Sequence, residues 1–125
     1  MPRRTGKAQK RRQPGEMTKT EARYAEILEA MRLTGEIDRW DFEPETFTLG
    51  KDCRYTPDFR VVNLPDLDVE FIEVKPANWE HIPNQTNSRT KIHVAAEHHP
   101  YLFSRAVEIP KKLGGGFTKT PIEPR

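Results

Sequence analysis

Val69-Glu70-Phe71-Ile72-Glu73-Val74-Lys75, closed by Pro76, is the stretch on which the fold turns. Apolar side chains fall on both parities of this run, as expected of a strand covered on both faces and therefore central in its sheet. Alternation sends Val69, Phe71, Glu73 and Lys75 to one face and Glu70, Ile72 and Val74 to the other. Pro76 ends the strand because it has no N–H to give. A carboxylate and an ammonium thus emerge together at the C-terminal end of a buried strand. Burying them costs free energy unless they are paired or hold a metal. A lone Glu-Lys pair at a strand end would by itself be a structural feature.

Working upstream, Tyr55-Thr56-Pro57-Asp58-Phe59 leads into a second short strand, Phe59 to Val62, followed by a turn through Asn63, Pro65 and Asp66. Pro-Asp alone is a turn dipeptide. A hairpin that set Asp58 beside Glu73 would put two carboxylates and the Val74 carbonyl around one point, a hard-oxygen set suited to Mg²⁺ or Mn²⁺. Ile37 to Phe42 and Thr46 to Leu49 are β-prone runs broken at Pro44, either two strands or one bent edge strand. Gly50-Lys51-Asp52 reads as a turn. Thr18-Lys19-Thr20-Glu21 has the spacing of a capping box, and Tyr24, Leu28 and Met31 continue a helical stripe that ends near Gly35. Glu21 has two open readings: it closes the capping box, or it points inward with Tyr24 and Leu28 as a third acid of the site.

Downstream, Pro76 to Asn87 is a long polar loop, Ser88 to His98 a helix with Ile92, Ala95 and Ala96 inward, and Leu102 to Ile109 a last strand. The order of elements predicts an α/β domain with a small mixed central sheet flanked by helices. Residues 1–17 read as a flexible basic arm, 18–110 as the folded domain, and 111–125, with Gly114-Gly115-Gly116 and two later prolines, as a flexible tail.

Bulk properties narrow the function classes. The 125 residues are 34% hydrophobic and 32% charged, but the apolar ones cluster into periodic runs, unlike those of a disordered chain. Net charge is +2, unevenly spread. Arg3, Arg4, Lys7, Lys10, Arg11, Arg12 and Lys19 face Glu16 alone in the first twenty residues, a balance of +6 that leaves the remainder near −4. A basic arm on an acidic body suits a polyanionic partner, because Lys and Arg contacts to phosphate release counterions. Cys53 is the single cysteine, so no intrachain disulfide forms. No run has the length of a signal or membrane segment, and a cytoplasmic protein is expected. Cys53, His81, His93, His98 and His99 lack the spacing of a zinc finger. Trp40, in a strand, reads as core; Trp79, in the polar loop, reads as a contact for substrate or a second subunit.

Pro57-Asp58 followed by Glu73-Val74-Lys75 resembles the PD-(D/E)xK signature of restriction-endonuclease-like nucleases. The resemblance extends to Holliday junction resolvases of the phage T7 endonuclease I type and to related phage proteins. Glu21 on the leading helix, Tyr55 to Phe59, the Glu73–Lys75 strand end, the Arg89/Lys91 helix and His99-Pro100 carry it, together covering about residues 18–108. It implies a restriction-endonuclease-like fold and a Mg²⁺-dependent (or Mn²⁺-dependent) endodeoxyribonuclease acting on branched DNA as a homodimer. Such enzymes serve phage replication or recombination in the cytoplasm of an infected or prophage-carrying cell. Asp58 and Glu73, with the Val74 carbonyl, would bind the metal, Glu21 would complete the acidic site, and Lys75 would orient the attacking water or stabilise charge on the phosphate. Arg89 and Lys91 would join the arm (Arg3, Arg4, Lys7, Lys10, Arg11, Arg12) in contacting DNA, although a solvated helix face accounts for them more simply. Pro76 stands where many such proteins have glycine, and the loop after it is longer, which bears on substrate contacts more than on catalysis. Two alternatives keep the fold: a non-catalytic DNA-binding or virion-associated module, and a restriction-like or DNA-end-processing nuclease.

Overall fold

The computed structural model describes residues 15–82 and 87–123. Five strands form one mixed sheet in the order β1-β4-β5-β6-β7: β1 (Ile37–Phe42), β4 (Phe59–Asn63), β5 (Asp68–Lys75), β6 (Leu102–Glu108) and β7 (Phe117–Pro121). Only β5 and β6 are parallel; the other neighbours run antiparallel. A separate hairpin pairs β2 (Phe47–Gly50) with β3 (Cys53–Tyr55). Helix α1 (Lys19–Leu33) precedes the sheet, and α2 (Asn87–His98) lies in the crossover between the parallel strands. The two β-prone runs around Pro44 are thus separate strands in separate sheets.

Two apolar clusters, one on each face of β5, follow from the alternation of that strand. Ile72 and Val74 join Tyr24, Ala25 and Leu28 of α1 with Ile37, Phe59, Val61 and Ala106. Phe71 joins Phe47, Tyr55, Ile92, Ala95, Phe103 and Ile122 under α2 and the β2–β3 hairpin. Phe59 has no exposed surface and meets the rings of Tyr24, Trp40 and Phe42 at centroid distances of 5.7, 5.8 and 5.4 Å. Aromatic pairs of this kind add about 0.5–1.5 kcal/mol each beyond their buried area. Trp40 packs half-buried against this cluster, as its strand position predicts.

Helix α1 starts where its capping box predicts. Thr18 Oγ1 accepts from the Glu21 N–H at 3.1 Å, and the Glu21 carboxylate accepts from the Thr18 N–H at 2.9 Å. Gly35, at φ 83°, supplies the left-handed turn that ends it.

Residues 111–123 depart from the expected tail. After a 3₁₀ turn at Lys111–Leu113 and three successive left-handed glycines, 114 to 116, β7 pairs along β6 from Glu108↔Phe117 to Ser104↔Pro121. Ile122 then enters the second core cluster. The reason this strand escapes a local reading is its position. As an edge strand it buries little until Ile122, so its order comes from the β6 ladder rather than from an apolar pattern. The arm residues Arg3, Arg4, Lys7, Lys10, Arg11 and Arg12 lie outside the described residues. No described helix is long and apolar enough to cross a membrane.

Candidate active site

The β4–β5 hairpin brings Asp58 to the end of β5 that carries Glu73 and Lys75. With Phe59 paired to Ile72, Asp58 sits at the mouth of the hairpin beside the C-terminal end of β5. Its Oδ2 accepts a 2.7 Å hydrogen bond from the Val74 N–H. Pro57, fully buried, fixes the backbone that delivers it.

Burial and the charge of Glu21 hold the Asp58 carboxyl well above the usual carboxylate range. The Val74 N–H works in the opposite direction, while Glu73 pushes the same way as Glu21. Three acids distant in sequence therefore share one neighbourhood, close enough for each ionised partner to resist ionisation of Asp58. Glu21, 7% exposed, is at once the capping residue and the acid facing Asp58. Its two sequence readings are compatible.

Glu73 and Lys75 are 3% and 6% exposed on the face that alternation assigns them. Glu73 Oε1 accepts from the Tyr55 hydroxyl at 3.0 Å. Burial first, and then the charges of Glu73 and Asp58, push the Tyr55 hydroxyl well up, so it stays a neutral donor. Glu73 Oε2 lies 3.6 Å from Lys75 Nζ and 3.7 Å from Arg105 Nε. It is buried and makes no hydrogen bond.

A second buried acid shows what a structural role looks like in this chain. Glu70 accepts from Ser104, from Asn63 at 3.2 Å and from Lys119 at 3.0 Å. Its oxygens are satisfied, whereas Glu73 is left with one that is not. An unsatisfied buried acceptor costs about 1–3 kcal/mol, a cost that a site awaiting a cation or substrate can carry.

Three residues near the site went unassigned or were assigned otherwise in the sequence. Tyr55 comes from the short strand β3, and Arg105 from the register that pairs it with Glu73 across β5 and β6. Trp79, expected to meet a partner, is instead 6% exposed. Its ring has Lys75 Nζ at 5.6 Å, Arg105 at 4.8 Å and Arg89 at 5.3 Å. A polar loop buries this tryptophan because three cations line its ring. Arg89 is exposed and paired to Glu80 at 3.2 Å, and Lys91 is half-buried on the same helix; neither is drawn into the acidic cluster.

The chemistry of the donor set fits a hard divalent cation: Asp58, Glu73 and Glu21 are carboxylates, and crowding among them is what a cation relieves. Their present arrangement does not enclose one point. Among the described residues no three His, Cys, Asp or Glu side chains stand as a metal-holding group. Glu21 turns to the Thr18 N–H, Asp58 to the Val74 N–H and Glu73 to Tyr55. No family model, curated protein or solved structure matches the chain, so its chemistry has to be argued from these residues.

Proposed function

We propose that this protein is a metal-dependent endodeoxyribonuclease of the PD-(D/E)xK kind, with a restriction-endonuclease-like fold built on its mixed sheet. The observation that carries the reading is the gathering of Asp58, Glu73, Lys75 and Glu21 at one end of β5, with Asp58 pressed toward protonation by burial and then by the two other acids. Asp58, Glu73, the Val74 carbonyl and Glu21 are the groups that would hold Mg²⁺ or Mn²⁺. Bound there, the ion would lower the pKa of a water and offset charge on the phosphate. Lys75, fixed beside Glu73, supplies positive charge where the pentacoordinate phosphorus gathers negative charge. Tyr55 orients Glu73 through its hydroxyl. Hydrolysis adds the water's oxygen to phosphorus and delivers a proton to the departing sugar oxygen.

Branched DNA is the substrate favoured by the resemblance to phage junction resolvases, as are the homodimer and a role in phage replication or recombination. The basic arm supports a nucleic-acid partner independently, through charge alone. The failure of the three acids to enclose a point in this arrangement favours one second reading, a DNA-binding module without catalysis. Incubating the purified protein with supercoiled, linear and four-way-junction DNA, in Mg²⁺ and in EDTA, separates the readings. Magnesium-dependent cleavage strongest on the junction is expected. Cleavage of linear ends alone would indicate an end-processing role, and binding without cleavage of any substrate would establish the module.

A further inference from the structure

Arg105 stands opposite Glu73 in the parallel pair, with its side chain 13% exposed. Its Nε and Nη2 are closed off from solvent and have no hydrogen-bond partner. Each such donor costs about 1–3 kcal/mol, and the chain buries two on one guanidinium. The nearest acceptor, Glu73 Oε2, is 3.7 Å from Nε, beyond hydrogen-bond range, and Lys75 stands 3.6 Å from the same oxygen. Neither protein nor bulk water satisfies this edge of the guanidinium. Trp79, 4.8 Å from the guanidinium carbon, holds the group in place through its ring face.

We infer that Arg105 is a phosphate-binding residue of this site, its Nε–Nη2 edge forming the fork that takes two oxygens of the scissile phosphodiester. A guanidinium presents two parallel N–H groups at the spacing of two phosphate oxygens; a lysine offers one point charge. Lys75 and Arg105 then flank the phosphate while Glu73, between them, turns toward the other acids. Trp79 is the positioning residue of this arrangement. The inference rests on the nuclease reading and adds to it the cation that grips the substrate.

The test measures binding in EDTA and, separately, turnover in Mg²⁺. Affinity of labelled four-way-junction and duplex DNA is followed across a salt titration for wild type, Arg105→Met and Arg105→Lys, with thermal melting of each. Arg105→Met keeps a long stem against Trp79 and is expected to lose about ten- to a hundredfold in affinity, the fold-change of a charge-assisted hydrogen bond. Its salt slope should fall by about 0.9, the value of one phosphate contact. A role confined to holding Glu73 would leave that slope unmoved. Wild-type protein that binds no DNA would overturn the nuclease reading itself. Wild type that cleaves, beside a folded Arg105→Met with wild-type affinity and slope, would overturn the role of Arg105 alone. Should Arg105→Met fail to fold, Arg105→Lys decides: retained slope with weakened affinity and turnover is expected, and wild-type affinity with wild-type turnover refutes the fork.

Discussion

Replacing Glu73 by glutamine keeps the shape of the side chain and its hydrogen bond from Tyr55, and removes only the charge. That charge lies 3.6 Å from Lys75 and 3.7 Å from Arg105, with side chains 4%, 8% and 13% exposed. At an effective dielectric of about 20, each of the two attractions is gross about 4.5 kcal/mol. Desolvation of three buried ions offsets much of this, and removing one partner from a buried ion pair costs about 3–5 kcal/mol net. Glu73→Gln should therefore destabilise the protein by about 3–5 kcal/mol, a large share of the roughly 5–15 kcal/mol that holds a domain together. In melting temperature this is a drop on the order of 10–20 °C.

Lys75→Met should cost less, because Arg105 still faces Glu73 when the lysine is gone. In that background one of the two cations facing Glu73 is already absent, so the glutamine should cost about 1–3 kcal/mol less than it does alone. Urea denaturation of the four proteins in EDTA measures the cycle. Additive losses, or a Glu73→Gln cost below about 1 kcal/mol, would refute the coupling of the three buried charges, and with it the basis for placing Lys75 and Arg105 in one site.

Asp58→Asn should stabilise the metal-free protein near neutral pH. The folded pKa of Asp58 is raised, so its stability contribution is complete below the ordinary carboxylate range and lost as pH rises through the folded value. The gain in melting temperature over wild type should accordingly vanish in acid, and a gain independent of pH would remove Asp58 from the explanation. Mg²⁺ should raise the melting temperature of wild type but not of Asp58→Asn, by about 2.7 kcal/mol of stabilisation at a hundredfold excess over its dissociation constant; equal shifts would place the ion elsewhere. Ending the chain at Pro110 should destabilise it severely in thermal melting, since β6 loses its edge partner, Ile122 leaves the core and Glu70 loses Lys119. An unchanged melt would restore the reading of this segment as a tail. Deleting residues 2–12 should weaken DNA binding and flatten its salt dependence, and an unaltered slope would show that the arm does not touch phosphates.

What could be read from the sequence was whatever leaves a local trace. The two-sided apolarity of Val69–Lys75 marked a central strand, Pro76 its end, and alternation the face shared by Glu73 and Lys75. Thr18 and Glu21 marked the helix start to the residue. The missing pieces depend on pairing across long separations. β3 is three residues, Cys53–Tyr55, and β7 has an exposed pattern; neither carries a period of its own. Tyr55 and Arg105 acquire their roles only from register, since a shift of one residue between β5 and β6 would send Arg105 to the opposite face. Trp79 was placed outward because its loop is polar, while the cations that bury it come from β5, β6 and α2.

Glu21 and Glu70 together show why burial alone does not mark a functional acid in this chain. Both are buried to a similar degree, 7% and 5% exposed. Glu70 meets Asn63, Ser104 and Lys119, donors enough to satisfy its oxygens. Glu21 meets one backbone N–H at the helix start and then a second carboxyl, Asp58, which it pushes toward protonation. A capping residue needs only the first of these contacts; a glutamine would serve it equally well in the capping box. Placing the acid beside Asp58 adds a contact that the cap does not need and that pushes the Asp58 carboxyl up. The feature that distinguishes the candidate site is therefore the crowding of Glu21, Asp58 and Glu73, which holds the Asp58 carboxyl up, beside Lys75 and Arg105 at 3.6 and 3.7 Å from Glu73 Oε2.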